Sequence, residues 1–344
     1  MSGGLLAGLR VLDFSTSLPG PLATLMLADA GAEVIKIERP DGGDPARADP
    51  AVFAILNRAK RSIAIDLKRD AALLDPLIAS ADILVEQFRP GVMDRLGLGH
   101  EAVRARNPRL IYASINGYGS DGPDAQRPGH DLTYVAESGL LSLNADSNGD
   151  PVVPAALAAD VAGGSYSAVA QIMMALFHRE RTGEGSRLDI ALFAGLMPFL
   201  NEAFAHAAEG RAVAPGYSPA TGGSERYALY RTADGRHLAL ACPEEKFWLN
   251  FCEAAELSPS ADREAIAARL AERTAAHWLA TFAGRDLCCS LVATVAEALD
   301  SPRVQGLIGA GFVPLVAPAF RAHAATTLAP ALGEANASFL GGAQ

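Results

Sequence analysis

The 344-residue chain has few cysteines and fewer basic than acidic residues. Its four cysteines, Cys242, Cys252, Cys288 and Cys289, form neither a CxxC pair nor a zinc-type cluster with histidines. We therefore interpret them as reduced thiols rather than as a disulfide framework. The formal net charge is -10, and a protein that binds nucleic-acid phosphates needs clustered lysine and arginine. A nucleic-acid partner is not expected.

The sequence also lacks the targeting segments and motifs of several common classes. The N-terminal MSGGLLAGLR has no basic segment before an apolar one, and the longest uncharged apolar stretch, 161–177, is shorter than the roughly 20 residues that span a bilayer. We expect a cytoplasmic protein without a membrane segment. No Walker loop, HExxH motif or GxSxG elbow is present, and the GxGxxA pattern at Gly97 follows no predicted strand. Neither a metal nor a redox cofactor is predicted.

The hydrophobic pattern predicts the α/β class, with a Rossmann-like parallel sheet. From residue 10, short β-branched runs alternate with helical patterns, which is typical of parallel strands joined by crossover helices. The predicted strands are RVLDFS, AEVIKIE, SIAIDL, DILVEQF and LIYASING. Parallel sheets bind ligands at the carboxyl ends of their strands, so the loops after Phe14, Glu38, Phe88 and Gly117 are the expected site.

The same pattern predicts two unequal domains. Residues 1–200 are predicted to form the large domain, and a segment rich in proline and glycine within 201–225 is predicted to be an exposed linker. YALYRTADGRHLALA predicts a hairpin that turns at Asp234 and Gly235, so residues 226–310 are expected to form a small α+β domain. The last residues, 315–344, are predicted to return to the large domain as a lightly structured strap.

His130 is a candidate base. It lies in RPGHD, after Gly129 and before Asp131, which is the predicted N-cap of the next helix. The positive end of a helix dipole disfavours an imidazolium, so a histidine held there can act as a neutral base. A plain loop role would leave the same pattern, because many histidines are structural.

Asp160 is the second candidate. It lies at the start of a helix predicted over 161–181, where an aspartate can serve simply as a cap. Gly163 and Gly164 in the first turn cost roughly 1 kcal/mol each relative to alanine, which suggests that something approaches this backbone closely. Glu244, after Pro243, is by itself an ordinary acid in the first turn of a predicted helix.

Five basic residues flank the predicted strand ends of the large domain. Cations that converge on one sheet edge can hold the phosphates of a nucleotide-like ligand, although scattered surface charges would look the same. These residues are Arg39, Arg58, Lys60, Arg61 and Arg89.

Taken together, these segments resemble the family III coenzyme A transferases of the CaiB/BaiF type, and within them the α-methylacyl-CoA racemases. The resemblance covers nearly the whole chain. It is carried by LAGLRVLDFS, PGPLATLMLADAGAEVIKIERPDGGDPAR, NRAKRSIAIDLK, VEQFRPGVMDRLGLG, LIYASINGYGSDGP, PGHDLTYVAESGLL, RERTGEGSRLDIAL and APALGEA. It implies an interlocked homodimer with each subunit threaded through the other, a CoA-binding large domain and a CoA site at the dimer interface.

The racemase branch implies specific roles. His130 and Asp160 match its two acid/base groups, Glu244 matches a glutamate that supports the histidine from the other subunit, and the backbone amide of Asp131 would face the thioester oxygen. The residues assigned to CoA binding are Arg39, Arg58, Lys60, Arg61, Arg89 and Gly129. Since CoA is part of the substrate, no separate cofactor is implied.

The predicted activity is therefore that of an isomerase of lipid metabolism, which interconverts (2R)- and (2S)-2-methylacyl-CoA by proton transfer through an enolate. The alternative is a transferase that moves CoA between carboxylic acids with Asp160 as nucleophile. That branch typically lacks the histidine, and only TGGSE at 221–225 resembles its mobile glycine-rich loop. A silent CoA-ester-binding subunit would retain the fold without either reaction. The presence of His130 favours the racemase.

Overall fold

The computed structural model describes residues 4–146, 148–308 and 328–341. These residues form two compact units. Unit 1 takes its residues from Met1–Leu140, Pro154–Phe199 and Leu307–Gln344, and unit 2 from Leu141–Val153 and Leu200–Gly306. Residues 141–153, expected in the large domain, and 201–225, expected as a linker, both group with unit 2.

Unit 1 is built on a six-stranded parallel sheet. Its strands are β1 (Arg10–Asp13), β2 (Glu33–Glu38), β3 (Lys60–Ala64), β4 (Ile83–Glu86), β5 (Ile111–Asn116) and β6 (Arg187–Ala191). The order β3-β2-β1-β4-β5-β6 is the Rossmann-like order, in which the chain first winds outward from β1 to β3 and then restarts beside β1. The predicted α/β class with a parallel sheet is confirmed.

The burial of each strand explains whether it could be predicted from the sequence. β1 and β4 are almost wholly buried, as strands covered on both faces must be, and they appear in the sequence as continuous apolar runs. β6 was not predicted as a strand. It lies at the sheet edge and only Ile190 among its residues is buried, so it lacks the apolar run of a buried strand.

Helices connect the strands of unit 1. They are α1 (Pro19–Asp29), α2 (Pro50–Asn57), α3 (Leu67–Asp70), α4 (Asp75–Ser80), α5 (Val92–Arg95), α6 (His100–Arg106), α7 (Asp131–Glu137) and α8 (Ser167–Thr182). The pattern of residues 69–80 predicts one helix, but the chain forms α3, a 3-10 turn and α4, which restarts with Pro76 in its first turn, a position that tolerates proline. The helix α8 ends before Gly183, which has a left-handed φ of 79°, as predicted.

Unit 2 contains a small antiparallel sheet packed on helices. The strands are β7 (Tyr227–Arg231), β8 (His237–Ala241) and β9 (Cys289–Leu291), and the helices are α9 (Asn201–Ala208), α10 (Glu245–Ala255), α11 (Arg263–Leu270), α12 (Ala275–Phe282), α13 (Val295–Asp300) and α14 (Pro302–Ile308). β7 and β8 form the predicted hairpin, with Gly235 at a positive φ in its turn. Stacked aromatic rings of Trp248, Phe251, Trp278 and Phe282 fill its core. All four cysteines are free thiols.

The C-terminal segment 328–341 covers the outer edge of the unit 1 sheet. It contains α15 (Asn336–Phe339). The Asn336 side chain accepts from the Ala64 N–H at 2.8 Å and donates to the Ala64 carbonyl at 2.9 Å, while the Ala335 N–H donates to the Ser62 carbonyl. The edge of β3 therefore has its backbone groups satisfied. Residues 315–327 of the predicted strap lie outside the described residues.

Within the described ranges, none of the helices combines the length and apolar character needed to cross a membrane. The sequence predicts a buried helix over the apolar stretch 161–177, but this stretch begins before α8 and is only partly buried, because the Met174 and Phe177 side chains are exposed.

A buried group of charges, which we call the Asp13 cluster, lies where β1 and β2 end. It comprises Asp13, Lys36, Asp44 and Lys60, each no more than 3% exposed. Lys60 Nζ lies 3.0 Å from Asp13 Oδ2, and Lys36 Nζ lies 2.8 Å from Asp44 Oδ2. Burial alone would raise the pKa of Asp13, but the Lys60 and Lys36 ammonium groups and the hydroxyls of Ser15 and Thr24 hold it well below its ordinary value.

We expect Asp13→Ala to lower the free energy of unfolding by about 3–5 kcal/mol, because it leaves two buried ammonium groups without their shared carboxylate. The matched control is Glu33→Ala, which removes a partly exposed ion pair with Arg10 and should cost about 1 kcal/mol or less. Urea unfolding followed by circular dichroism measures both values. Equal losses in the two variants would contradict the structural role of the cluster.

Candidate active site

A cleft of about 380 Å³ opens in unit 1 at the carboxyl ends of β1, β4 and β5. This is where the winding direction of the sheet reverses, the usual ligand position in open α/β sheets. Its walls come from the loop after β1 (Thr16, Ser17), the loop after β4 (87–90), the end of β5 and residues 125–134. We call it the switch-point cleft. It brings together four of the predicted residues: His130, Asp160, Arg89 and Gly129.

His130 occupies the N-cap of α7, the position expected for Asp131. Its backbone is extended, its N–H donates to Thr133 Oγ1 at 3.0 Å, and the Thr133 hydroxyl donates back to the His130 carbonyl at 2.8 Å. Asp131 is instead the first helical residue. The His130 side chain is exposed and lines the cleft. The contacts with Thr133 hold its backbone in place.

Asp160 lies in a π-helical segment, Ala159–Tyr166, that precedes α8. The Ser165 and Ser167 hydroxyls each donate to a carbonyl five residues earlier, Asp160 O and Ala162 O, both at 3.1 Å. Asp160 is not the N-cap of this segment, and its half-buried side chain faces the switch-point cleft instead of capping a helix. Stretches of π-helix occur frequently at functional sites.

Gly163 and Gly164 are required by packing within the protein, not by the approach of a ligand. A Cβ on Gly163 would lie 2.6 Å from the Leu192 carbonyl oxygen, and one on Gly164 would lie 2.6 Å from Leu192 Cδ2 and 2.9 Å from Pro19 Cβ. The close approach inferred from sequence is real, but the approaching atoms belong to the protein's own chain.

A hydrogen bond between two helix starts joins the site. Asp131 is buried, and its Oδ1 accepts from the Asp160 N–H at 2.9 Å. Burial, followed by the negative charge of Asp131, raises the pKa of Asp160 to about 6, and His130 acts in the opposite direction. The Asp160 carboxyl therefore titrates close to neutral pH, where a group can both accept and donate a proton.

Tyr134 is a cleft residue that the sequence reasoning missed. It lies four residues after His130, one turn along the same face of α7, which is the available sequence signal. Gly117 and Gly129 make room for it, since a Cβ on either would lie 2.5 Å from the Tyr134 ring or hydroxyl. Burial raises the pKa of Tyr134 to about 12, so its hydroxyl stays protonated at neutral pH. Gly129, predicted to bind CoA, thus also accommodates this ring.

The five predicted phosphate-binding cations are not equivalent. Arg89 is exposed in the cleft wall. Arg39 is exposed after β2, where its Nε donates to the Gly43 carbonyl, but it does not line the cleft.

The structure corrects the prediction for Arg58 and Lys60. Arg58 is buried and forms a two-point ion pair with Asp29, and Lys60 is enclosed in the Asp13 cluster. Arg61 stacks on the Phe339 ring, 4.4 Å from its centroid. The charges of Arg58 and Lys60 are neutralised inside unit 1, because each side chain pairs there with a buried aspartate, Asp29 and Asp13.

Glu244 lies in unit 2 as the N-cap of α10 and is exposed, without a side-chain capping bond. Its expected contact with the histidine of another subunit stays a prediction. Within the described residues, no group of three or more histidine, cysteine, aspartate or glutamate side chains is arranged to hold a metal ion.

We expect Asp160→Asn to stabilise the protein increasingly as pH rises from 4 to 7. Because folding raises the pKa of Asp160, the stability that its protonated form contributes is present below about pH 4 and is lost as pH rises through about 6. The variant does not ionise, so its gain should reach about 1–2 kcal/mol, less than the full shift implies because the group is half exposed.

Chemical unfolding at pH 4, 5, 6 and 7 measures this gain, with the exposed acid Glu180→Gln as control. A stability difference between wild type and Asp160→Asn that does not change with pH would show that the Asp160 pKa is not raised.

Comparisons with known proteins identify relatives over most of the chain. The model of CoA-transferase family III matches residues 6–337. The α-methylacyl-CoA racemase of Homo sapiens is 37% identical over 307 residues, which cover 85% of this chain and 78% of that protein. The succinyl-CoA:glutarate CoA-transferase of Mus musculus is 34% identical over 306 residues, covering 81% of this chain and 70% of that protein. The crystal structure of a CaiB/BaiF family protein from Brucella suis has a TM-score of 0.85 at 27% identity and covers 98% of both chains.

Proposed function

The chain belongs to CoA-transferase family III, and from this premise we propose that it is a racemase that interconverts (2R)- and (2S)-2-methylacyl-CoA. The observation that carries the proposal is the pairing of His130 with Asp160 in the switch-point cleft. One group is an exposed imidazole, and the other is a carboxyl whose pKa is raised to about 6. Two groups that exchange protons near neutral pH are what a reversible transfer at Cα requires.

In the proposed reaction, one group removes the α-proton and the other returns a proton to the opposite face. His130 acts as the neutral base toward one epimer, and ionised Asp160 acts toward the other. The conjugate acid of the partner group supplies the returning proton in each direction. The substrate therefore leaves with inverted configuration and the enzyme returns to its starting protonation after the reverse turnover or exchange with water.

The enolate between the two transfers needs a donor at the thioester oxygen. The Asp131 N–H has no acceptor within the described part of the chain, and it points from the first residue of α7, where helix donors are unsatisfied. A preorganised donor of this kind is worth about 2.7–4 kcal/mol in the transition state. We assign it to the thioester oxygen.

The CoA moiety is proposed to lie along the same edge of the sheet, with its phosphates near Arg89 and Arg39. We further propose that the active form is a homodimer in which Glu244 of the second subunit supports His130. Neither Arg58 nor Lys60 has a part in this proposal.

A CoA transferase is the second candidate, since the curated relatives of both types have similar identity to the chain. There the Asp160 carboxylate would attack the thioester carbonyl, expel the CoA thiolate and form a mixed anhydride. The thiolate would then attack the Asp160 carbonyl of this anhydride, release the donor acid and leave CoA as a thioester on Asp160. An acceptor carboxylate would attack that thioester to form a second anhydride and expel the thiolate, which would attack the acceptor's carbonyl, so that a new CoA ester leaves and the Asp160 carboxylate is restored. His130 would have no required role.

We expect His130→Ala and Asp160→Asn each to lower α-proton exchange by about 10²- to 10⁴-fold, because each removes one positioned acid/base group. The measurement is deuterium incorporation into a 2-methylacyl-CoA in deuterium oxide, by mass spectrometry. Binding of the CoA ester, followed by calorimetry, should change little. Exchange at the wild-type rate in either variant would remove that residue from the mechanism.

The two candidate reactions differ in their need for an acceptor acid. Wild-type enzyme incubated with a 2-methylacyl-CoA alone should incorporate deuterium and produce the second epimer. A transferase would instead require an added carboxylic acid and would yield a new CoA ester. Hydroxylamine-sensitive acylation of Asp160, detected by peptide mass spectrometry, together with no exchange would establish the transferase.

A further inference from the structure

The Asp131 carboxylate is buried beside a second carboxylate, that of Asp160. Asp131 is 6% exposed, although it is the first residue of a helix at the protein surface. Burying a carboxylate is costly unless hydrogen bonds or charges compensate. Its Oδ1 accepts the Asp160 N–H at 2.9 Å, a donor at the start of the π-helical segment that joins α8.

This bond makes Asp131 a cap supplied from another helix. The first donors of a helix have no partner within it, and a side-chain oxygen from the preceding residue normally accepts one of them. Ala158, at the N-cap of the π-helical segment, has no such side chain, and no capping bond is formed there. Asp131 provides the oxygen across a separation of 29 residues.

The bond also fixes a distance that matters for the site. His130 is the residue before Asp131, and its backbone is locked to α7 through Thr133. Asp160 is held to α7 through its own N–H. One side chain therefore sets the position of one proposed acid/base group relative to the other.

We infer that the Asp131 side chain is a positioning residue, which ties Asp160 to the helix that carries His130 and places a fixed negative charge beside the Asp160 carboxyl. The inference rests on the proposed proton transfer between these groups, in which the backbone amide of Asp131 has a separate role. It assigns the carboxylate a task of its own.

The charge has a consequence for the pH at which Asp160 works. After burial, Asp131 is the main cause of the raised pKa of Asp160, and His130 opposes it. Tyr134 faces the same carboxyl from α7, and Arg89 and Arg127 are the cations in the cleft wall. Without the Asp131 charge, Asp160 would be a weaker base and a stronger acid.

The test uses two substitutions that separate the hydrogen bond from the charge. Asp131→Asn keeps an oxygen that accepts from the Asp160 N–H but removes the charge. It should move the acidic limb of the kcat/KM profile for epimerisation, near pH 6 in the wild type, about one unit lower, and it should lower the plateau less than Asp131→Ala does. Asp131→Ala removes both and should lower the plateau about 10- to 100-fold. Glu180→Gln, which removes an exposed charge on α8, should change neither.

The inference would be overturned if the acidic limb of the kcat/KM profile did not move in Asp131→Asn and the plateau of kcat/KM did not fall in Asp131→Ala. A stability measurement distinguishes this from failure of the proposed reaction, because it needs no substrate. In a double-mutant cycle of Asp131→Asn and Asp160→Asn, the two changes should couple at pH 8, where the Asp160 carboxyl is ionised, and the coupling should shrink at pH 4.5, where it is largely protonated. Additive effects at both pH values would overturn the inference even in an active racemase, while strong coupling in an enzyme that does not epimerise would retain it.

Discussion

The buried Asp13 cluster is the interaction on which the rest of unit 1 depends. Asp13 at the end of β1 accepts hydrogen bonds from Thr24 of α1 and from Lys60 at the start of β3, so one carboxylate joins two strands and a helix. Lys36 extends the cluster to Asp44, whose other oxygen accepts from the Ser17 N–H at 3.0 Å. Ser17 has a left-handed φ of 64° and lines the switch-point cleft. The cluster therefore holds the strained loop that forms one wall of the cleft.

The opposite wall is organised by the start of α7. A capping bond locks His130, tight glycine contacts position Tyr134, and the Asp131 carboxylate joins α7 to the π-helical segment that carries Asp160. The capping bond and the Asp131 bond are made by backbone groups and short side chains, which lose little conformational freedom when the site forms. The site is thus largely built before any ligand enters. Preorganisation of this kind is what makes a donor or base effective at the transition state.

The sequence revealed the parts of this structure that are local. β1 to β5 appear as apolar runs, the β7–β8 hairpin follows from its Asp234–Gly235 turn, and helix α8 ends where Gly183 predicts. It did not reveal β6, whose residues alternate at the sheet edge, or the π-helical segment, because no apolar period distinguishes it from an α-helix. Arg58 and Lys60 looked like surface cations since their partners, Asp29 and Asp13, lie 29 and 47 residues away in sequence. The family motifs placed His130 and Asp160 in one site, but the bond from Asp131 could be found only in three dimensions.

The raised pKa of Asp160 beside His130 is relevant to the choice between the two reactions of the family. Two epimers that differ only at Cα have similar free energies, so an efficient racemase must run at comparable rates in both directions. That demand is met when the two acid/base groups have similar proton affinities. Raising the pKa of Asp160 to about 6 brings the carboxyl into the range where imidazoles titrate, which is far from the ordinary range of an aspartate. A nucleophilic carboxylate has no need of such matching, because its partner in the reaction is a carbonyl carbon rather than a second proton carrier. The raised pKa of Asp160 beside His130 is therefore the feature that supports the proposal of proton transfer at Cα.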